Sequence, residues 1–412
     1  MRVWVVALAV LLGGSMVAVD TAPMPVKPLA AFNQHSQQNK KAQGDGDDLD
    51  SALTMDFPDP RPSVPICGAF CRESGVSFST DTWHSLPEAW GPPTITSTQE
   101  LEALGPHIAP VLYGGLGNVL FQLATLHVYG RKHGVPVVVG YFSHWNRQFK
   151  TFAPWGGHAP PGEGVTLKDT FPALRWCSFE YKVPVPRVFN RYAFKINQPD
   201  EIVPLPDPAM LPLYLHGYFF NHYYWHHARD HVLEVLRFNP AVEEYITFMY
   251  GDLLAGGQDR SREPISLHFR LGYEHEPAKA LVRSRNLPPT AFYDRVFTRE
   301  FDVSTALYLV FSDNPEKAHG MMREHASRVP GLTYVVIDED VVHTVAMMAR
   351  CKHHVLTSST LSFWGAYLDR HQPNGGRTLL HSSFFNDHGR GMIPPDFHWE
   401  VFSTPATATL TN

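Results

Sequence analysis

The chain has 412 residues, 44% of them hydrophobic and 18% charged, which excludes a disordered or low-complexity protein and exceeds the needs of one ordinary core. A formal net charge of -6 excludes a global pull toward nucleic acid or an anionic membrane, so any anionic ligand would need local basic residues. Four cysteines (Cys67, Cys71, Cys177, Cys351) are too few for a disulfide scaffold, and fit one or two bridges or buried thiols equally well.

In chain order, the stretch Val3 to Val19 carries no charge between Arg2 and Asp20. At ~1.5 Å per residue it reaches ~25 Å, marginal for a ~30 Å hydrocarbon core. Two readings fit residues 1–19: a signal peptide with Ala18 near the cleavage point, or an uncleaved signal-anchor. Both send the rest of the chain into the secretory route. From Asp20 the composition turns to Pro, Ser, Asp, Gln and Asn, with an acidic patch at Gly44 to Asp50 and no apolar period. This reads as a flexible stem, drawn over residues 20–105.

Order is expected from about Ile108. Val111 and Leu112 precede Gly114, Gly115 and Gly117, after which Leu120, Leu123, Ala124, His127 and Val128 recur at helical spacing and Pro136 to Val139 read as a strand. Tyr141 to Pro212 gives little signal. A strand at Leu213 to Phe219 and a helix from Tyr223 to Leu236 complete a first α/β lobe over residues 106–250. The second half alternates strands (Ile265 to Arg270, Ala306 to Phe311, Thr333 to Ile337, His353 to Thr357, Thr378 to Leu380) with helices (Ala291 to Arg299, Pro315 to Arg328, Val341 to Arg350, Leu361 to Asp369). That pattern predicts a parallel, doubly wound sheet over residues 251–405, with chemistry in a cleft at the carboxyl ends of its strands.

Four patches fall at such ends. Gly114-Gly115-Leu116-Gly117-Asn118 joins a strand to a helix; glycines admit a ligand close to the backbone, and the helix N-terminus attracts phosphate. An ordinary structural turn has the same form, with Asn118 as its cap. Ile265 to Arg270 alternates, placing Ser266, His268 and Arg270 on one face, where a buried parallel strand is normally apolar. That face calls for a ligand or a buried partner. Arg270 fits a bidentate diphosphate contact or a structural ion pair. Phe311-Ser312-Asp313 ends an apolar strand in polar residues. Leu356 to Thr360 runs into a helix, so that Ser359 and Thr360 suit a cap or a phosphate seat.

In this order the patches resemble the α-1,2-fucosyltransferase family, glycosyltransferase family 11. Its G-G-L-G-N-Q-M-F-Q loop matches Gly114-Gly115-Leu116-Gly117-Asn118-Val119-Leu120-Phe121-Gln122, and its G-Y-F-Q-S segment is similar to Gly217-Tyr218-Phe219-Phe220-Asn221. Its H-x-R-R-G-D-Y is partly kept as His268-Phe269-Arg270-Leu271-Gly272-Tyr273-Glu274. Its F-S-D-D and S-T-F-S-W-W-G-A-x-L match Phe311 to Asn314 and Ser359 to Leu368. The resemblance, from about Pro110 to Trp399, implies a GT-B-like fold of two Rossmann-like lobes and metal-independent, inverting transfer of fucose from GDP-fucose to a glycan, with no cofactor. It implies catalytic roles for Arg270 and His268, with both meeting the GDP moiety. Gly114, Gly115, Gly117, Asn118, Ser312, Asp313, Ser359 and Thr360 would complete the donor site, and Tyr218 would face the acceptor. It also implies a Golgi membrane enzyme, single-pass with a luminal catalytic region, or a secreted one after cleavage.

The sequence departs from that pattern at Leu271 and Tyr273, where the family has Arg and Asp, at Val119, and at Thr344, where an acidic residue is usual. Asp338, Glu339 and Asp340 lie close to the last. The departures leave a non-catalytic binding protein as an alternative. Glu274 and His275 are base candidates by position alone. His227 and His231, four apart, suit a metal pair without a third ligand, and Asp338-Glu339-Asp340 suits a metal-dependent transferase using another nucleotide sugar.

Overall fold

The computed structural model describes residues 92–110, 112, 114–142, 151–152, 165–181, 188–190, 202, 204–207, 212–257, 260–271, 287–369 and 375–403. The N-terminal segment, the stem to residue 91, Cys67, Cys71, Val111, Gly272, Tyr273, Glu274 and His275 lie outside them. The chain divides into two units, Met1–Asp56 and Phe57–Asn412; all described residues belong to the second. No helix among them is long and apolar enough to cross a membrane.

The first seven strands are β1 (Ile108–Pro110), β2 (Val139–Phe142), β3 (Thr151–Phe152), β4 (Val165–Thr166), β5 (Trp176–Tyr181), β6 (Val188–Asn190) and β7 (Leu213–His216). β1, β7 and β6 form a parallel sheet in that order, β2 pairs parallel with β5, and an Ile108–Val137 bridge joins the two groups. β3 and β4 make a small antiparallel pair. The stem boundary at 105 needs correcting. Ile95 bridges Cys177, and the helix Thr98–Ala103 buries Leu101 in the small core that also holds Ala109 and Tyr214. The signal was Ser97 three residues before Glu100: Ser97 Oγ accepts the Glu100 N–H, and Glu100 reaches back to the Thr96 N–H at 2.7 Å, a close variant of a capping box.

The second sheet holds β8 (Glu263–Phe269), β9 (Ala306–Ser312), β10 (Tyr334–Ile337), β11 (His353–Leu356), β12 (Thr378–His381) and β13 (Glu400–Phe402), all parallel, in the order β10-β9-β8-β11-β12-β13. Numbered from its own first strand this is 3-2-1-4-5-6, the doubly wound order whose switch point lies between β8 and β11. The architecture is α/β with two lobes, as the sequence predicts. β9 shows why both faces are apolar. Leu307, Leu309 and Phe311 enter a core shared with the first lobe, while Ala306, Tyr308 and Val310 enter a second core under the helices Thr290–Arg295 and Pro315–Arg328.

Several boundaries differ from expectation. The lobe boundary at 250 falls inside a helix, Pro240–Leu254, capped by the Asn239 side chain with Pro at its first position. The helix expected from Tyr223 begins as two 3-10 turns, His222–Tyr224 and His226–Ala228, and becomes regular at Arg229–Val235. Cys177 and Cys351 are both buried, and burial pushes the Cys351 thiol far up.

The shared core is an aromatic seam between the lobes. Phe121, on the helix Leu116–His133, lies 5.0 Å from Phe363 and 4.8 Å from Trp364 on the helix Thr360–Tyr367, and 5.5 Å from Trp225. Offset and edge contacts at these separations add about 0.5–1.5 kcal/mol per pair beyond the burial itself.

Candidate active site

The site follows from where those two helices begin. The helix Leu116–His133 starts at Gly115, which has no side-chain cap, so the expected capping role of Asn118 is not what is found. Asn118 sits inside the first turn and its Oδ1 accepts the Thr360 hydroxyl at 2.8 Å, joining the lobes. Gly114 has φ +88, and a Cβ there would lie 2.4 Å from the Asn118 amide. Only glycine holds that backbone and leaves Asn118 in place. At Gly117 a Cβ would meet the Leu361 nitrogen at 2.5 Å and the Thr360 carbonyl carbon at 2.6 Å, so one helix rests on the backbone of the other at its N-terminus.

Two helix N-termini therefore meet, each carrying roughly half a positive charge. Neither helix has an acidic residue in its first turn. Elsewhere an acid sits at the helix start: the N-cap Asp340 accepts the Val342 and His343 N–H groups of the helix Val341–Met348. The uncompensated pair makes an electrostatic niche for an anion. Ser359 caps its helix by accepting the Leu361 N–H, so the capping reading of that residue holds, while Thr360 is spent on the lobe contact with Asn118.

β8 supplies the other wall. Ser266 and His268 pair in register with Leu309 and Phe311, whose side chains face the shared core, so the polar face of β8 looks toward the first lobe. Both have buried partners: Ser266 Oγ lies 2.8 Å from His354 Nδ1, and His268 Nδ1 shares a 3.3 Å hydrogen bond with the Thr357 hydroxyl. The second bond ties together the ends of the two strands that flank the switch point. His354 Nε2 is 3.2 Å from Asp369 Oδ2, close enough for attraction but outside hydrogen-bond alignment, and all three members of this Ser-His-Asp chain are buried in the sheet.

Arg270 follows β8. Its Nη1 is 2.8 Å from Asp313 Oδ2, while Asp313 Oδ1 accepts the Leu271 N–H at 2.7 Å. The ion-pair reading of Arg270 is thus realised, with a cation that stays 22% exposed and a carboxylate that is 7% exposed. Ser312, at the end of β9, accepts the Asn314 N–H, and Asn314 caps the helix Pro315–Arg328. The sequence reading passed over Thr357 and the Asp313–Arg270 pairing; the polar alternation of β8 was the signal for partners, without saying which.

Glu339, Asp340 and His343 offer ligand atoms within 4.8 Å of one another. Their partners are local. Tyr245 and Tyr250 donate to Glu339 Oε1 at 2.8 and 2.6 Å, and His343 Nδ1 lies 2.5 Å from Asp340 Oδ2. Asp338, the other arm of the D-x-D, is exposed. His227 and His231 do not join as ligands: His227 Nδ1 contacts the Tyr223 carbonyl and His231 pairs with Glu234 at 3.6 Å.

Burial alone would lower the His343 pKa, but the Asp340 and Glu339 carboxylates outweigh it and hold it above 6.5; burial raises Asp340, and His343 outweighs that to hold it below 3.8. Glu339 is raised above 4.5, chiefly by burial. The raised His343 adds stability that is complete below pH 6.5 and lost as pH climbs through its folded value. Glu339 has the same sign from 4.5 upward, whereas the Asp340 contribution is lost as pH falls through its lowered value. His343→Gln should therefore lower the Tm most near pH 6, by the equivalent of about 3 kcal/mol, with the gap narrowing by pH 9 in thermal melts.

A cavity of about 630 Å³, lined by Arg229, Arg237 and Arg350 among acidic neighbours, reaches the motif end at Leu368 and the buried Asp369 but holds none of the candidate donor-site residues.

The profile of glycosyl transferase family 11 matches residues 190–373, which span β7 to β11 and the helix after it. No curated protein matches the chain. Among solved structures, the fucosyltransferase NodZ from Bradyrhizobium is similar at 10% identity and a TM-score of 0.40, covering 63% of this chain and 91% of that one. A mutant of Arabidopsis thaliana FUT1 in complex with GDP is similar at 12% identity and a TM-score of 0.40, covering 73% and 76%. A glycosyl transferase family 9 protein from Veillonella parvula gives 12%, 0.38, 73% and 86%. The doubly wound architecture rests on this chain's own strand order.

Proposed function

We propose that this chain is a family 11 glycosyltransferase that moves fucose from GDP-fucose to a galactoside hydroxyl of a glycan, forming an α-1,2 linkage with inversion and without metal. The observation that carries the reading is the convergence, at the switch point, of two helix N-termini lacking acidic compensation with Arg270 at the end of β8. In this reading the acceptor oxygen attacks the anomeric carbon as the bond to the diphosphate breaks. The charge that develops on departing GDP is held by Arg270 and the helix N–H groups of the Gly114 to Asn118 and Ser359–Thr360 segments. His268 orients the nucleotide, Ser312 and Asp313 line the donor pocket, and Tyr218 faces the acceptor. Residues 1–19 anchor a luminal enzyme in the Golgi membrane, or release it if cleaved.

A second reading, binding without turnover, is favoured by Leu271: it is buried where the family carries a second Arg. Calorimetric titration of the protein with GDP and with UDP, each with and without EDTA, separates the possibilities. Selective, EDTA-insensitive GDP binding followed by transfer to a galactoside is the expected result. Preference for UDP, or dependence on metal, points to a metal-dependent transferase using Asp338 and Asp340. GDP binding without transfer across a broad acceptor panel establishes the non-catalytic reading.

A further inference from the structure

Phe219 has φ 52, and Arg260 is the one other non-glycine residue among those described with positive φ. A bulky side chain in the left-handed region costs about 1–3 kcal/mol and persists only where its surroundings enforce it. The enforcement is visible. The Phe219 carbonyl accepts the Trp225 indole N–H at 3.1 Å, and the buried Phe219 ring packs edge-on against Tyr224 at 5.5 Å.

The strained residue changes what its neighbours do. In a regular strand, residues two apart share a face without stacking. Here Tyr218 and Phe220 lie parallel, 5.0 Å apart with 12° between their planes. Phe220 is buried and its ring is 5.1 Å from Phe121, which reaches the aromatic seam; Tyr218 is the more exposed member of the stack. The pair is thus a rigid platform, backed by the same helix that opens at Gly115. β7 runs parallel beside β1, so Tyr218 and the Gly114 turn leave neighbouring strands at the same end. Four residues after Tyr218, His222 Nδ1 donates to the Gly391 carbonyl of the second lobe at 2.8 Å. The segment therefore leads from the strand end beside the Gly114 turn to a contact with the second lobe.

We infer that Tyr218, supported by Phe220, is the platform that receives the C–H face of the acceptor's pyranose ring, and that Phe219 is a positioning residue whose left-handed backbone sets the stack. The inference rests on the transferase reading for its substrate class. A flat ring beside a sugar's apolar face excludes water and fixes its orientation while leaving the hydroxyl edge for reaction.

The test is steady-state kinetics with GDP-fucose and N-acetyllactosamine, alongside GDP calorimetry and saturation-transfer NMR of N-acetyllactosamine. Tyr218→Ala should raise the acceptor KM about tenfold and leave GDP affinity within twofold, and Tyr218→Phe should restore the KM. Phe219→Asn, which tolerates left-handed backbone, should stay within about threefold of wild type, whereas β-branched Phe219→Val should match Tyr218→Ala. Acceptor KM unchanged in Tyr218→Ala overturns the platform while leaving the transferase reading intact. Equal behaviour of the two Phe219 variants overturns the positioning role. If wild type binds no GDP yet gives glycan saturation transfer that Tyr218→Ala abolishes, the platform stands and the transferase reading falls.

Discussion

Arg270→Ala is expected to lower kcat by roughly 10²–10³-fold, the usual cost of removing one preorganised group aimed at charge that develops in the transition state. The structure makes a second effect predictable. Asp313 is nearly buried and would lose its cation while keeping the Leu271 N–H, so the variant should also lose thermal stability. The two effects separate in the double variant Arg270→Ala with Asp313→Asn. The amide can still accept from Leu271, so the melting temperature should recover substantially, while transfer should not. An Arg270→Ala protein with full transfer activity would sink the assignment of the site.

Gly117→Ala should be nearly as damaging for a steric reason. Its methyl group would sit 2.5 Å from the Leu361 nitrogen and 2.6 Å from the Thr360 carbonyl carbon, and neither backbone atom can swing away. Forcing the helices apart should cost about 2–3 kcal/mol, pull the Thr360 hydroxyl off Asn118, and weaken GDP binding along with stability. Gly320→Ala is the control, because that helix position has nothing within 4 Å of a Cβ and replacing glycine in a helix is ordinarily stabilising. Thermal melts and GDP titration of both variants check the prediction; equal Tm for Gly117→Ala and wild type would refute the close approach.

The second lobe was legible because its signal is local. Apolar runs such as Ala306 to Phe311 and the Pro315 to Arg328 helix carry their own boundaries, down to Asn314 and Pro315 at the helix start. The polar face of β8 also announced partners before any were seen. What sequence could not supply was identity across the chain: Asp313 for Arg270, Thr357 for His268 and Thr360 for Asn118 are paired by topology alone. The helix Pro240–Leu254 was missed although Asn239 and Pro240 mark its start, and Phe219 gave no warning, since left-handed phenylalanine contradicts local preference. Such conflicts between local preference and the fold are expected to concentrate near functional sites.

The aromatic seam has a mechanical consequence. Lobes joined by a thin, polar contact can rock about a hinge, but here Phe121, Trp225, Phe363 and Trp364 are fully buried in one continuous core shared by both. Prising the halves apart would expose much of what holds the protein together, so the two behave as a single casting rather than a jaw. Under the proposed function, the movement that accompanies turnover then falls to side chains and loops rather than to the lobes. Heat should likewise take both halves down in one cooperative step, because neither keeps a complete interior once the other is gone.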